Sequence, residues 1–473
     1  MLHTHDRFGH REDRVEFHPA YHSLMETAIA AGLHAAPWAD DRPGSHVARA
    51  AKFITWASVD AGHYCPISMT YAVVPALEHT PGLLEEWLPR LASREYDPAF
   101  APYTRKRGVT AGMALTEKQG GSDVRTNTSI AEPTGDGAYL LTGHKWFVSA
   151  PMSDLFLALA QAPGGLSCFL VPRWLPDGAK NNLWIQRLKD KMGDRSNASS
   201  EVEFAGAWAL PVGEEGRGVR TIVEMINRTR LDCSLGSTGL MRHGLTQAIH
   251  HVRHREAFGK RVAEQPAMLQ VLADLALESE AASTAAMRLT GAYDRVACGD
   301  ESPGFSRIAT PVVKYWICKR NPGHSAEALE CLGGNGYVEE SGMPRLFRQS
   351  PLNGVWEGSG NVICLDVLRA MAREPESVEA FREELRAAAG ADARYDRALA
   401  DLEGAMTAPD ESTARRLVEQ MAMVLQASLL LRHAPGFVGE AFVAARLEDP
   451  GVAYGSLPEG IDTEAIVARA FPT

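Results

Sequence analysis

The sequence predicts an α+β protein of several domains: an N-terminal α-helical domain, a middle β-sandwich or barrel domain, a C-terminal four-helix bundle and a C-terminal α-helical extension. Three observations support this fold class. Apolar residues recur at helical spacing in the first hundred residues, short β-prone runs follow at close spacing, and long helical patterns fill the rest of the chain. The predicted domains are, in chain order, 1–109, 110–213, 214–373 and 374–473.

The first two domains differ in the period of their apolar residues. From about Phe17 to Arg107 apolar residues repeat every three or four positions, which predicts helices. From Thr110 to Val212 short runs bounded by Gly, Pro, Asn and Asp predict the strands of a sandwich or barrel. The predicted strands are Ala138–Thr142, Trp146–Ser149, Leu155–Ala160, Leu166–Val171, Leu183–Leu188 and Glu201–Phe204.

The chain after Gly216 predicts long helices. They are expected over Val219–His254, Pro266–Cys298, Phe305–Leu332 and Gly360–Met371. Helices of this length usually pack as a bundle, and a proline near the start of the third, Pro311, should distort it. The Ala-, Leu-, Arg- and Glu-rich segment from 374 to 473 predicts further helices.

The composition is that of a globular protein. Of 473 residues, 45% are hydrophobic and 23% are charged, and no run approaches the roughly 18 apolar residues of a membrane helix. The first residues lack the apolar core and cleavage site of a signal peptide, so we expect a cytoplasmic protein. Seven scattered cysteines without a CxxC pair predict reduced, buried thiols and no metal site. The formal net charge of −11 disfavours nucleic acid as a partner of the whole chain.

Five short motifs carry the functional signal, and the first is Met113–Val124 (MALTEKQGGSDV). The hydroxyls of Thr116 and Ser122 flank a Gly-Gly turn that includes Gly121. Exposed backbone N–H groups in such a loop can bind a polar ring edge or a phosphate. A β-turn with capping hydroxyls is the alternative interpretation.

The second motif is Gly143–Ser149 (GHKWFVS), on a predicted strand. It offers ring faces at Trp146 and Phe147 and one hydroxyl at Ser149. Taken alone, core packing of the two rings explains these residues better.

The third motif is Arg253–Lys260 (RHREAFGK), followed by Gln265. An arginine beside an aromatic residue at a helix end can hold a phosphate with its fork of donors. The alternative is a solvated basic helix end that faces the C-terminal dipole.

The fourth motif is Glu330–Tyr337 (ECLGGNGY). A Gly-Gly pair after a helix is first of all a C-cap and a turn. The same pair also lets another molecule approach the backbone closely.

The fifth motif is Gly354–Asn361 (GVWEGSGN), just before an apolar helical stretch. Its acid, Glu357, follows the apolar pair Val355 and Trp356. Loss of solvation beside that pair would raise the pKa of Glu357 and make it a base near neutral pH. The alternative is an ordinary acid at a helix N-terminus, and the segment alone favours that alternative.

Together, the five motifs and the α, β, α arrangement resemble the acyl-CoA dehydrogenase family from about Phe17 to Arg373. The runs at 118–121, 187–193 and 195–199 are similar to the AidB-like branch, the DNA-alkylation-response flavoproteins. Each motif is weak alone, but five in order over most of a chain are a strong signal. The resemblance implies the acyl-CoA dehydrogenase fold and FAD as cofactor, bound once per subunit at an interface within a homotetramer, a dimer of dimers.

The resemblance also implies a role for each motif residue. Glu357 would be the base, and Arg230 would orient the site unless it is a plain surface arginine. The neighbouring subunit would supply Arg255, Phe258 and Gln265. The full set of implied FAD contacts is Met113, Leu115, Thr116, Gly121, Ser122, Trp146, Phe147, Ser149, Arg255, Phe258, Gln265, Glu330, Gly333, Gly334, Trp356, Gly358, Ser359 and Asn361.

The implied reaction is the α,β-dehydrogenation of an acyl-CoA to a trans-2-enoyl-CoA, an oxidation of a CH–CH bond that belongs to fatty acid metabolism. The base removes the α-proton and the β-hydrogen leaves as hydride to the flavin. The thioester carbonyl is hydrogen-bonded by a flavin ribitol hydroxyl and by the backbone N–H of the base, and an electron-transfer flavoprotein is the usual acceptor. Some members carry the base near Arg230 instead, but Thr229 and Arg230 offer no carboxylate, which leaves Glu357.

The chain departs from its AidB-like relatives at the N-terminus. These relatives carry a further segment before Phe17. We therefore expect part of the first helical domain to be absent or replaced by Met1–Glu16.

The second departure concerns DNA. A basic C-terminal extension is thought to bind duplex DNA in the AidB-like branch, but here the segment has 18 Asp and Glu, 9 Arg and no Lys. Because DNA affinity depends on cations that neutralise phosphates, this segment is a poor platform. Arg382/Arg386 and Arg394/Arg397 have helical spacing, but interleaved acids predict a salt-bridged surface. A DNA-binding alkylation-response flavoprotein with little or no dehydrogenase activity is the alternative function.

Overall fold

The computed structural model describes residues 1–40 and 42–471, and the chain forms two compact units. The first unit comprises Met1–Asp41 and Asp60–Thr229, and the second comprises Arg42–Val59 and Arg230–Thr473. The predicted domain boundaries at 109, 213 and 373 remain predictions.

Helices dominate the first hundred residues, as predicted. In chain order they are α1 (Pro19–Ala30), α2 (Ala36–Ala39), α3 (Ser45–Trp56), α4 (Tyr64–Leu77) and α5 (Pro81–Leu91). Proline occupies the first turn of α1 and α5, where its missing N–H costs no hydrogen bond. Helix α4 is buried along nearly its whole length and supports the middle sheet of the first unit.

Among its described residues, the first unit contains nine strands. They are β1 (Leu2–His5), β2 (Arg11–Val15), β3 (Ala111–Thr116), β4 (Ile130–Pro133), β5 (Tyr139–Ser149), β6 (Leu155–Ala162), β7 (Gly165–Pro172), β8 (Leu183–Leu188) and β9 (Ser199–Val212). The sequence predicted the last five, but it divided β5 into two strands (Ala138–Thr142 and Trp146–Ser149), and several are longer than expected. It missed the first four, because polar residues in β1, β2 and β4 and glycine in β3 interrupt the apolar pattern.

Strands β3 to β9 form one sheet in the order β3-β5-β4-β6-β7-β9-β8. Further pairings of β3 with β6 and of β5 with β9 join non-neighbouring strands and make the sheet barrel-like. Its core is apolar, with Leu141, Phe156, Phe169 and Phe204 almost fully buried. Strands β1 and β2 form a separate antiparallel hairpin.

Long helices follow the sheet. They are α6 (Gly218–His254), α7 (Pro266–Cys298) and α8 (Gly304–Glu330), and between α6 and α7 lies a small hairpin of β10 (Glu256–Ala257) and β11 (Lys260–Arg261). The predicted bounds of α6, α7 and α8 hold to within two residues. Helix α8 continues through Pro311 and through Pro322.

The remaining helices complete the second unit. They are α9 (Gly334–Tyr337), α10 (Met343–Gln349), α11 (Gly360–Arg373), α12 (Pro375–Arg386), α13 (Ala393–Ala405), α14 (Ala414–His433), α15 (Gly436–Val443) and α16 (Thr463–Ala470), with a π-helical turn at Ala444–Glu448. The extension is anchored by buried charge, because Arg446 binds Asp274 and Glu278 of α7. The predicted α-helical extension is therefore confirmed.

The cysteines and the absence of a membrane helix were also predicted from the sequence. Six of the seven cysteines are buried, as expected, but Cys298 is exposed because it ends helix α7 at the surface. Within residues 1–40 and 42–471, no helix combines the length and the apolar character needed to cross a membrane.

Candidate active site

The first two motifs lie side by side in the sheet of the first unit. Strands β3 and β5 run antiparallel with Met113 opposite Ser149 and Thr116 opposite Phe147. Residues that pair across two strands lie on the same face of the sheet, and the register shift between Met113 and Thr116 brings both of them to the face of Phe147 and Ser149. The pairing thus gathers two hydroxyls, a thioether and an aromatic ring on one surface.

The two aromatic residues of the second motif lie at an irregularity in the sheet. The pairing of β5 with β9 shifts between Lys145 and Val148, and this shift includes Trp146 and Phe147. The ammonium of Lys189 lies 3.4 Å from the ring centroid of Trp146 and 4.7 Å from that of Phe147. Phe147 is 51% exposed, so core packing is the wrong interpretation for this ring.

A buried charge pair fixes the loop of the first motif. The carboxylate of Glu117 accepts hydrogen bonds from the Lys145 ammonium at 2.8 Å, from the Ser129 hydroxyl at 2.6 Å and from the Thr128 N–H at 2.7 Å. Burial alone would raise the pKa of Glu117, but these donors hold it well below its usual range. The loop therefore starts from a rigid ionised anchor.

The Gly-Gly turn folds back onto the end of β3. A Cβ at Gly121 would lie 2.5 Å from the Thr116 hydroxyl oxygen, so only glycine fits there. Ser122 is exposed on the far side of this turn. Leu115, in contrast, is buried, and its carbonyl accepts a hydrogen bond from the Asn127 amide at 2.9 Å.

In the second unit, the third motif forms the hairpin that follows α6. Phe258 has a left-handed backbone (φ 55°) and a side chain that is 98% exposed. Gln265 braces this hairpin, since its amide donates to the Ala257 carbonyl at 3.2 Å. Arg255, at the base of the hairpin, is exposed. A strained turn that presents an aromatic ring to solvent is costly unless something binds it.

The fourth motif leaves backbone open at the end of α8. Built Cβ atoms at Gly333 and Gly334 would meet nothing within 4 Å, and Glu330 is exposed beside them. Gly336 is different, because a Cβ there would lie 2.0 Å from the Leu329 carbonyl oxygen. One glycine is thus needed for packing, and two leave room for another molecule.

The fifth motif holds its acid in an unusual conformation. Glu357 has φ 58° and Gly358 has φ 101°, so two successive residues are left-handed. Helix α11 begins only at Gly360 with Ser359 as its N-cap, so Glu357 lies outside the first turn and the helix-start interpretation is wrong. The predicted apolar cover is also wrong on one side, since Val355 is 64% exposed.

Two buried cations bind the backbone of this segment. The Arg230 Nε donates to the Glu357 carbonyl at 3.0 Å. The Lys314 ammonium donates to the Trp356 carbonyl at 3.0 Å and to the Gly358 carbonyl at 2.5 Å. Because Arg230 is buried and also binds Asp366 at 2.7 Å, its interpretation as a plain surface arginine is wrong.

Polar contacts on either side extend this arrangement. The indole N–H of Trp356 donates to the Asn353 side chain at 2.9 Å, and Asn353 donates to the Ser237 hydroxyl at 3.0 Å. After the helix start, the Asn361 side chain accepts from Arg415 Nε of the extension at 2.7 Å. The extension therefore contacts a residue of the fifth motif.

Sequence reasoning missed Lys314 and Arg415. Lys314 stands in the apolar run PVVKYWIC of α8, and a single charge on a buried helix face is a signal that could have been used. Arg415 is one of nine arginines in the extension, and nothing in its sequence neighbourhood distinguishes it.

Each unit offers what a flavin dinucleotide requires. The first unit presents an exposed ring and hydroxyls at Phe147, Ser149 and Thr116, which suit an aromatic ring system with polar edges. The second presents an exposed arginine and open glycine backbone at Arg255 and Gly333, which suit phosphates and a closely approaching nucleotide. The residues present therefore fit FAD.

Comparisons with known proteins agree with the motifs. The sequence matches the AidB N-terminal domain family over residues 1–98, the acyl-CoA dehydrogenase middle domain over 112–207 and the acyl-CoA dehydrogenase C-terminal domain over 216–372. The first of these matches includes Met1–Glu16, which the structure folds largely as the β1–β2 hairpin.

One relative and two solved structures extend this agreement. The chain is 44% identical to AidB of Escherichia coli (strain K12) over 448 residues, which are 94% of this chain and 83% of AidB. The structure of Caenorhabditis elegans ACDH-11 in complex with C11-CoA has a TM-score of 0.83 at 26% identity and covers 100% of this chain and 82% of ACDH-11. The apo form of Bd2924 has a TM-score of 0.83 at 28% identity over 91% of this chain and 86% of its own.

Fold, motif order and these similarities lead to one conclusion. The predicted fold class and FAD as cofactor are confirmed. The chain belongs to the acyl-CoA dehydrogenase family, in its AidB-like branch, and is an FAD-dependent acyl-CoA dehydrogenase-like flavoprotein.

Proposed function

We propose that this protein oxidises an acyl-CoA thioester to its trans-2-enoyl-CoA, with Glu357 as the base. The observation that carries the proposal is the conformation of Glu357. Glu357 has a left-handed backbone, lies outside the helix and has its carbonyl bound by the buried Arg230. Helix capping therefore does not explain its conformation. Strain of this kind is typical of residues whose position serves chemistry.

The reaction divides between proton and hydride. The Glu357 carboxylate takes the proton from the α-carbon, and the electron pair of that C–H bond becomes part of the new double bond. The hydrogen on the β-carbon leaves with its electrons, and FAD, when bound, would supply the acceptor for that hydride. Because an α-proton of a thioester is weakly acidic, the thioester carbonyl also needs donors, and the backbone N–H of Glu357 is one candidate.

Arg230 acts on this base through the backbone. It holds the Glu357 carbonyl while its guanidinium also binds Asp366, which lies partly buried between Arg230 and Arg307. Burial would raise the pKa of Asp366, but the two guanidinium groups keep it below its usual value. Arg230 is thus a positioning residue with an ionised support.

An anaerobic titration with acyl-CoAs tests the proposal. Short, medium and long straight-chain acyl-CoAs, C11-CoA among them, are added to the FAD-loaded protein while the flavin absorbance is recorded. The wild type should bleach with at least one of them, and Glu357→Gln should slow bleaching by about 10²- to 10⁴-fold, the usual contribution of a general base. A wild type that never bleaches, or a variant that bleaches equally fast, would overturn it.

We also propose that a second subunit completes each FAD site, in a homotetramer. This rests on the exposed Phe258 of the strained hairpin and on Tyr337, which is 83% exposed beside the open Gly-Gly backbone. Phe258→Ser should weaken FAD binding and lower the mass of the assembly measured by light scattering. An unchanged mass and FAD content would contradict it.

An electron-transfer flavoprotein is the proposed electron acceptor. Nucleic acid is the disfavoured partner. The arginines of the extension are largely engaged by carboxylates, for example Arg386 with Glu379 and Glu403, each at 2.8 Å. Few of its cations are left for phosphates, so the DNA-binding alternative function loses its platform.

A further inference from the structure

We propose that Lys314 is a positioning residue for this reaction: its buried ammonium holds the base-bearing segment and polarises the peptide whose N–H belongs to Glu357. The inference rests on the proposed function of Glu357 and adds a residue to it. Its evidence is the pair of hydrogen bonds from Lys314 to the carbonyls of Trp356 and Gly358.

The first step is the conformation of the segment. Left-handed backbone at a residue with a side chain is unfavourable and persists only where the surroundings enforce it. Here three consecutive carbonyls, those of residues 356, 357 and 358, are all bound by cations of two different long helices, α6 and α8. Lys314 contributes two of these three bonds, so it is the main element that fixes the turn.

The second step concerns the peptide between Trp356 and Glu357. The carbonyl that Lys314 binds belongs to the same peptide group as the Glu357 N–H. A positive donor on the carbonyl oxygen shifts electron density toward that oxygen and makes the N–H a stronger donor, because linked hydrogen bonds polarise one another. If that N–H binds the thioester carbonyl, Lys314 raises the acidity of the α-proton without touching the substrate.

The third step is the choice of lysine. Lys314 is 1% exposed, and an ammonium at such a site is unfavourable unless its hydrogen bonds are made. An apolar residue would pack into α8 without that cost. Lys314 and Glu357 both act on one neighbouring group, the Cys233 thiol. Burial raises the pKa of this thiol, Lys314 opposes the rise and Glu357 adds to it. The Cys233 thiol therefore lies within the field of both the Lys314 ammonium and the Glu357 carboxylate.

Two variants and a control test the inference. Lys314→Met removes the charge at similar length, Lys314→Arg keeps it, and Lys52→Met changes an exposed lysine of the same unit. Each FAD-loaded protein is examined for flavin content, melting temperature and the rate of flavin reduction by C11-CoA or by the acyl-CoA that bleaches the wild type fastest. The infrared carbonyl stretch of that acyl-CoA, labelled with ¹³C at the thioester carbon, is recorded with each protein in a Glu357→Gln background, where slow flavin reduction leaves the bound thioester intact and its polarisation can be read.

We expect Lys314→Met to slow flavin reduction by on the order of 10-fold or more, less than the loss of a whole oxyanion donor. The carbonyl stretch should move toward its value in water, Lys314→Arg should recover part of both, and Lys52→Met should match the wild type. Wild-type stretch and rate in a folded, FAD-loaded Lys314→Met would overturn the inference. If Lys314→Met does not fold, Lys314→Gln, which keeps a hydrogen-bond donor without the charge, is measured instead, and a wild-type stretch and rate in that variant would equally overturn the inference.

The outcome is separable from that of the proposed function. If Glu357→Gln reduces flavin at the wild-type rate, Glu357 is not the base and the proposed function fails. If Glu357→Gln is inactive while Lys314→Met keeps the wild-type rate and carbonyl stretch, only the role of Lys314 fails.

Discussion

Two regions of the second unit use positive charge in opposite ways. In the extension, arginines bind carboxylates on partly exposed surface, as Arg386 does with Glu379 and Glu403. At the base-bearing segment, Arg230 and Lys314 are buried and bind backbone carbonyls. The arginines of the extension neutralise an acidic surface. Arg230 and Lys314 instead fix the backbone conformation of residues 356–358.

The difference lies in what each arrangement contributes. Exposed ion pairs contribute about 0–1 kcal/mol because water and salt screen them. A buried cation must recover a large desolvation cost through good hydrogen bonds, and it therefore imposes geometry on its partners. Whether a cation serves function or solubility thus depends on its burial and on whether it binds a carboxylate or a backbone carbonyl, and not on the number of arginines.

The largest effect is expected when Arg230 is replaced. Arg230→Met leaves the Glu357 carbonyl and the partly buried Asp366 without this donor. We expect the free energy of unfolding to fall by about 3 kcal/mol, the lower end for broken buried pairs, because Asp366 is partly exposed and Arg307 stays near it. Urea denaturation measures the change, and flavin reduction should slow in the same variant.

Arg397→Met is the matched control from the extension. Arg397 is 66% exposed and lies 3.7 Å from Glu448, so its loss should change the unfolding free energy by less than about 0.5 kcal/mol. Equal losses in the two variants would erase the distinction between the regions.

A smaller effect is expected from the glycine of the segment. Gly358→Ala places a Cβ 3.0 Å from Ile363 at φ 101°, and we expect a loss of about 1–3 kcal/mol and slower flavin reduction. Gly404→Ala is the control, because Gly404 lies within helix α13 with nothing near its Cβ and should gain about 0.5–1 kcal/mol. Calorimetric melting curves in which Gly358→Ala matches or exceeds the wild type would show that the turn is not held in this conformation.

Asp194 is a carboxylate near Lys191, but the hydrogen bonds of that lysine go to other acceptors. In the first unit, Lys191 donates to the Asn197 carbonyl at 2.7 Å and to the Ser199 hydroxyl at 3.2 Å. Burial raises the pKa of Asp194 to about 7, and the charge of Lys191 offsets only part of that rise. The stability of the protein should therefore depend on the protonation of Asp194.

The sign follows from the two pKa values. Between the unfolded value near 4 and the folded value of about 7, the folded state binds more protons, so stability falls as pH rises through this window. Asp194→Asn should remove that fall and melt a few degrees above the wild type at pH 8, with a smaller difference at pH 4. A melting difference that does not change between these pH values would show that Asp194 does not titrate there.

Much of the fold could be predicted from the sequence because its elements are long and periodic. Helices α6, α7 and α8 repeat apolar residues over many turns, so their bounds agree with prediction. The hairpin of β1 and β2 could not be predicted, since LHTH and REDRV carry few apolar residues and derive their order from contacts such as Arg11 with the Ile185 carbonyl.

The candidate site divides in the same way. Glu357 and the flavin motifs could be proposed from residue type and order. The role of Lys314 could not, because it depends on two carbonyls more than forty positions away in the chain. The four residues Met113, Thr116, Phe147 and Ser149 share one face because of the register of β3 against β5. That register contains an irregularity, which no local sequence pattern predicts.

The smallest effect is expected in the extension, where the ion pairs can be opened deliberately. Arg386→Gln should change the unfolding free energy by no more than about 1 kcal/mol and leave flavin reduction unchanged. Duplex DNA should bind weakly to both proteins at physiological salt, because the arginine is already neutralised by two carboxylates.

The carboxylates of these ion pairs can be replaced in place of the arginine. Replacing Glu379, Glu403 and Glu448 by Gln releases Arg386 and Arg397 from their acidic partners, while Arg394 loses Glu448 and keeps Asp392. If pairing is what keeps this surface from DNA, the triple variant should bind duplex DNA more tightly, with a steeper dependence of log K on log salt than the wild type. Binding that stays weak in the triple variant would mean that the placement of these arginines, and not their pairing, excludes DNA; tight binding by the wild type would mean that carboxylate pairing does not silence this surface at all.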